Sequence, residues 1–92
     1  MRFTWDERKN AENVRKHGIG FSDAVCIFDG EIVEWIDRRF PYDEERWAAI
    51  GITENKEILV IYVEKGEDVR RIISARLATR QERDIYWREV SR

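Results

Sequence analysis

Two groups of side chains, near opposite ends of this 92-residue sequence, have the types and spacing for chemistry on a phosphate. Lys16 and His17 are adjacent, and His17 is the only histidine. An unperturbed histidine changes charge near neutral pH, so His17 is a candidate acid or base. Toward the other end, Arg70, Arg71, Arg76, Arg80 and Arg83 crowd a short stretch. The planar guanidinium fork matches paired phosphate oxygens. Glu64, closing a strand-like run, is a further candidate base. Trp5, Trp35, Trp47 and Trp87 are rings on which nucleic-acid bases can stack. Each feature also has a plainer reading. Arginines on a strand and a helix solvate the surface and pair with Glu82, Asp84 and Glu89. A histidine at a helix C-terminus complements the macrodipole, and some of the tryptophans must be core.

The overall charge argues against a polyanionic partner until its distribution is considered. The formal net charge is −2 and the isoelectric point about 5.5, whereas nonspecific nucleic-acid binders are usually basic. By segment, residues 1–36 carry −2, residues 37–64 carry −3 and residues 65–92 carry +3. The positive charge is thus confined to the last strand and helix, where seven of eight cations are arginine. One cysteine, Cys26, and one histidine exclude an intrachain disulfide and a Cys/His zinc cluster. Glycine-rich nucleotide-binding loops and His-Glu-x-x-His are absent. The longest apolar run, Ile58–Val63, is far short of the ~20 residues a membrane helix needs, and the first residues do not read as a basic-then-apolar leader, so neither membrane insertion nor secretion is expected. A single domain over residues 1–92, located in the cytoplasm, is expected. A chain of this length buries only about 60–65% of its unfolded surface, so a site must be shallow.

The elements that carry these residues follow from local signals. Asp6 is an N-cap and Gly18 a left-handed stop, predicting a helix from Asp6 to His17. Within it Lys9, Asn13, Lys16 and His17 form a polar stripe where an apolar one would be usual. Ser22 is expected to cap a short helix from Asp23 to Phe28, ended by Asp29-Gly30. Four strands are predicted, Glu31–Ile36, Glu45–Ile52, Glu57–Glu64 and Val69–Arg76, forming a mostly antiparallel meander. The loop Asp37–Asp43 contains the single proline, Pro41. The third strand, the most apolar, is expected at the centre of the sheet. Simple alternation in the fourth puts Val69, Arg71, Ile73 and Ala75 on one face and Arg70, Ile72, Ser74 and Arg76 on the other. Thr79-Arg80-Gln81-Glu82 is a capping box opening a helix to about Val90.

The motif Trp5-Asp6-x-x-Lys9-x-x-x-Asn13-x-x-Lys16-His17-Gly18, followed by Phe21 and Ala24-Val25, stands in one order with Arg71-Ile72-Ile73-Ser74-Ala75-Arg76-x-Ala78-Thr79 and Glu82. Together they resemble the BrnT family of bacterial type II toxins, over essentially the whole chain. The resemblance implies an α+β, RelE-like fold with two N-terminal helices, a mostly antiparallel four-stranded sheet and a C-terminal helix. It also implies ribonuclease activity that inhibits translation, without metal or cofactor, and neutralisation by a BrnA-like ribbon-helix-helix antitoxin through which DNA is contacted only indirectly. In such a reaction the 2′-hydroxyl of RNA attacks the adjacent phosphate, which requires a base, an acid and cations for the developing dianion. Under this reading Arg71, Arg76 and Arg80 hold the scissile phosphate, Lys16 and His17 contribute proton transfer or phosphate contact, and Glu64 is a candidate base. Lys65, Arg70, Ser74 and Arg83 are further candidate RNA contacts. The chain departs from the family pattern at Lys65-Gly66, where Arg-Gly is usual, and in a turn one residue longer. A longer turn or a bulge there leaves the partner of Arg70 open; if the turn absorbs that residue, Arg71 keeps the family position and Arg70 is a surface neighbour. The rival expectation is a non-catalytic module that serves as partner and corepressor of a DNA-binding antitoxin.

Overall fold

The computed structural model describes residues 1–39, 41 and 43–91; Phe40 and Tyr42, in the loop predicted around Pro41, lie outside the described residues. The chain runs through β1 (Arg2–Thr4), α1 (Glu7–His17), α2 (Phe21–Ala24) with a 3-10 turn at Val25–Asp29, β2 (Val33–Asp37), β3 (Arg46–Thr53), β4 (Lys56–Glu64), β5 (Val69–Leu77) and α3 (Arg80–Val90). The strands form one sheet in the order β1-β5-β4-β3-β2. From β2 to β5 it is the antiparallel meander the sequence predicts, with β4 at the centre. The sheet has five strands rather than the expected four, and it is mixed. β1 lies parallel to β5, with Arg2 opposite Val69 and Thr4 opposite Arg71. Three residues are too few to show alternation, and their partner lies at the far end of the chain. The architecture is α+β with three helices and a five-stranded mixed sheet, which corrects the four-stranded RelE-like layout.

The helix boundaries follow from their caps. Asp6 accepts hydrogen bonds from Arg8 N at 2.8 Å and Lys9 N at 3.4 Å, and Gly18 ends α1 at φ 73°. The second predicted helix begins earlier than expected and is shorter. Gly20 stands at its N-cap without a side-chain bond, so Ser22 caps nothing, and after one turn the backbone tightens into the 3-10 segment. Thr79 and Glu82 form the predicted capping box of α3.

Alternation along β4 supplies both halves of the core. Ile58, Val60 and Tyr62 face Phe21, Ala24 and Ile27, with Ile72 and Ala75 of β5 beside them. Leu59 and Ile61 face the other way, with Ala48 and Ile50 of β3 beneath Tyr86 of α3. Gly51 permits the close approach of the 3-10 turn to β3, since a Cβ there would stand 2.6 Å from the Cβ of Ile27. Among the described residues, no helix is long and apolar enough to cross a membrane.

Candidate active site along β5

The residues of the second motif are arranged by a bulge. In the β4–β5 ladder Ile61 is opposite Ser74 while Tyr62 is opposite Ile72, leaving Ile73 as an extra residue in β5. An inserted residue reverses the parity of side chains on either side of it. Arg71, Ser74 and Arg76 stand opposite Val63, Ile61 and Leu59, three alternate residues of β4. All three therefore share one face, the face of α3. Strict alternation had divided them, placing Arg71 with Ala75 and Ser74 with Arg70. Arg70 and Ile72 instead share the opposite, helix-covered face with Ala75.

The edge of β5 beyond β1 meets α1. Lys9, Glu12, Asn13, Lys16 and His17 line a shallow depression of about 200 Å³ together with Ile73 and Ser74. The two motifs, 57 residues apart between His17 and Ser74, thus converge at the bulge. Lys16 and His17 are exposed. Among the described residues, Lys16, His17, Arg71 and Arg80 make no ion pair, so these side chains are available to an incoming anion. Arg71 is half-buried, and its charge is a minor contributor to holding the Asp6 and Glu44 carboxyls below their ordinary titration range. The main causes of those two depressions are backbone N–H groups at Asp6 and the Lys65 ammonium at Glu44.

Other candidates are engaged elsewhere. Arg76 makes a bidentate pair with Glu82, at 2.7 and 3.0 Å, and donates to the Leu77 carbonyl. Glu82 also accepts from Thr79 N at 2.8 Å. The Arg76 guanidinium, ahead of its other partners, holds the Glu82 carboxyl below its ordinary range against the opposing effect of burial. Arg76 therefore ties the end of β5 to the first turn of α3, with part of its guanidinium still open to solvent. Arg80 follows at the first position of α3. Arg83 donates to the Ala78 carbonyl at 3.0 Å.

Arg70 is not the surface neighbour expected. Its side chain is only 16% exposed, and the guanidinium lies 4.8 Å from the Phe28 ring centre and 4.9 Å from that of Tyr62. Its Nε is buried without a hydrogen-bond partner. Burial first, and then the hydrogen bond to Glu34, make the Tyr62 hydroxyl much less acidic than an ordinary tyrosine. Glu64 stands 3.7 Å from Arg70 on the same side of the sheet, and Lys65 pairs with Glu44 at 2.6 Å. None of these three lines the depression at Ser74.

Sequence reasoning did not single out two residues of this region. Arg46, opposite Asp37 on β3, belongs to the same sheet face as Arg71, one strand beyond Val63. The alternation of β3 carried that information, but the cation lies in an acidic segment and attracts no notice. Asn13 appeared in the polar stripe and in the first motif without a role, yet it is 6% exposed and bonded across the sheet edge. Its burial depends on a strand 62 residues away.

An open sheet face bearing arginines, bordered by a Lys-His helix end, suits a phosphodiester chain in chemistry and shape. The chain resembles, in a crystal structure, the Brucella abortus ribonuclease toxin BrnT, at 30% identity and a TM-score of 0.64, over 87% of this chain and 99% of that one. No curated protein matches it at a significant level. Residues 5–82 match the family described as the ribonuclease toxin, BrnT, of type II toxin-antitoxin systems, and the chain belongs to that family.

Proposed function

We propose that this BrnT-family toxin is a metal-independent endoribonuclease that inhibits translation by cleaving RNA across the β5 bulge. The observation that carries this reading is the convergence of Arg71, Ser74 and Arg76 on one face, with Ser74 also lining the depression that holds Lys16 and His17. Cleavage by the neighbouring 2′-hydroxyl needs no outside nucleophile. The chain must align that oxygen with the phosphorus, take up one proton, return one to the leaving 5′-oxygen and stabilise the extra negative charge. Arg71 supplies charge from the sheet face, and Arg80 from the start of α3. Arg76 donates through whatever its pairing with Glu82 leaves free. Lys16 and His17 exchange the protons from the helix end, with the Ser74 hydroxyl between them and the phosphate. Glu64, Lys65, Arg70 and Arg83 have no step in this scheme. The family's type II character supports an antitoxin partner, and a basic BrnA-like ribbon-helix-helix protein suits the −5 net charge of residues 1–64.

The test is to incubate purified toxin with RNA in excess chelator and map the ends produced. Fragments ending in a 2′,3′-cyclic phosphate, reduced about a hundredfold by Arg71→Ala, are expected. Absence of cleavage with or without divalent cations would overturn the reading in favour of a non-catalytic antitoxin partner. Cleavage only with added cation would overturn its metal-independent part.

A further inference from the structure

We propose that Asn13 is a positioning residue for this reaction, standing in for a missing strand beside β5 and thereby setting the reach from Lys16 and His17 to Ser74. The inference rests on the ribonuclease reading above and adds to it a residue that touches no substrate.

β1 pairs with β5 only as far as Arg71, so among the described residues the rest of β5 has no strand on its outer side. At Ala75 a side chain takes over. Asn13 Oδ1 accepts from Ala75 N at 3.1 Å, and Asn13 Nδ2 donates to Ala75 O at 2.8 Å. A carboxamide has the same donor and acceptor as a peptide unit, and this pair of bonds is the one a neighbouring strand would make. The second Nδ2 hydrogen goes to Ile19 O at 2.9 Å, just after the Gly18 stop. One side chain therefore fixes three backbone atoms: two between Ser74 and Arg76, and one at the exit of α1. Lys16 and His17 follow Asn13 by three and four positions, on the same stripe of the helix. The roll and height of that stripe against Ser74 are set where Asn13 is fastened.

No other side chain of this length meets the three requirements. Aspartate has the acceptor but no donor, and would aim negative charge at two carbonyl oxygens. Glutamine has the right groups one methylene too far out. Alanine leaves the Ala75 N–H and C=O without partners on a buried edge. The polar stripe noted in the sequence is accounted for in the same way, since the buried position on this helix face needs an amide and its neighbours need charge.

The experiment compares Asn13→Asp and Asn13→Ala with wild type in steady-state RNA cleavage, at a temperature where circular dichroism shows each protein fully folded. The aspartate variant keeps the volume and the bond from Ala75 N, so it remains informative if the alanine variant does not fold. For each variant, kcat should fall roughly tenfold to a hundredfold with KM nearly unchanged, because the RNA-binding arginines are untouched while the proton-transfer groups are displaced. The cycle is completed in a His17→Ala background, where the same Asn13 substitution should cost less than about threefold. Wild-type cleavage with unchanged kcat in both Asn13 variants, or an equal loss with and without His17, would overturn the positioning role and leave the ribonuclease reading intact. A wild-type protein that does not cleave RNA would remove the ribonuclease reading, and the positioning role with it.

Discussion

Arg70 and Arg71 are adjacent, alike in chemistry and opposite in position. One is packed between two aromatic rings and the other looks out from the open face. Nothing in the local sequence separates them, because side-chain parity before Ile73 depends on the bulge, and the bulge depends on pairing with β4. Replacing Arg71 with Ala should leave the melting temperature nearly unchanged, within about 0.5 kcal/mol of stability, while cleavage falls. The Arg70→Ala variant should lose stability instead, since it removes the cation from the Phe28 and Tyr62 rings. Arg76 combines both kinds of role. Its pairing with Glu82 is charge-assisted and about one-third exposed at most, so Glu82→Ala should cost roughly 1–3 kcal/mol. Because Glu82 titrates lower when folded than its ordinary 4.5, its contribution is fully present above that pH and is lost as pH falls through the folded value. In Glu82→Gln, thermal stability should therefore fall less steeply than in wild type as the pH is lowered below about 4.5, as followed by circular dichroism.

At the scale of elements, the caps were the most legible features, since each is written within four residues. Asp6 and Gly18 bound α1, and Thr79 with Glu82 opens α3, as their sequence signals indicate. Thr79→Ala should cost about 1 kcal/mol in chemical denaturation. β1, the early one-turn α2 and the position of the bulge were not legible, because each is imposed by a distant partner: β5 for β1 and for α2, and β4 for the bulge. Two changes probe such distant contacts. Gly51→Ala should destabilise by about 1–3 kcal/mol, because the new methyl overlaps Ile27. Removing Ile73 takes the extra residue out of β5 while leaving Arg71, Ser74 and Arg76 opposite Val63, Ile61 and Leu59, so all three keep one face. A folded Ile73 deletion should therefore still cleave RNA and still lose cleavage on Arg71→Ala; a folded deletion without any cleavage would contradict that register.

At the scale of the molecule, an acidic protein presents a basic ridge, and association with RNA should be governed by the ridge. Plotted against the logarithm of salt concentration, the logarithm of kcat/KM should decline, and Arg71→Ala should make that slope shallower by about 0.7, the share of one phosphate contact in a single strand. The joining of the two chain ends has a consequence in time as well. β1 pairs with β5, Asn13 holds Ala75, and Arg76 reaches Glu82, so the ridge exists only when residues from 2 to 82 have met. A ribosome extends a chain at about 5–20 residues per second and keeps its most recent residues enclosed. The ridge therefore assembles only after Glu82 has left the ribosome, and no nascent chain shorter than that carries it.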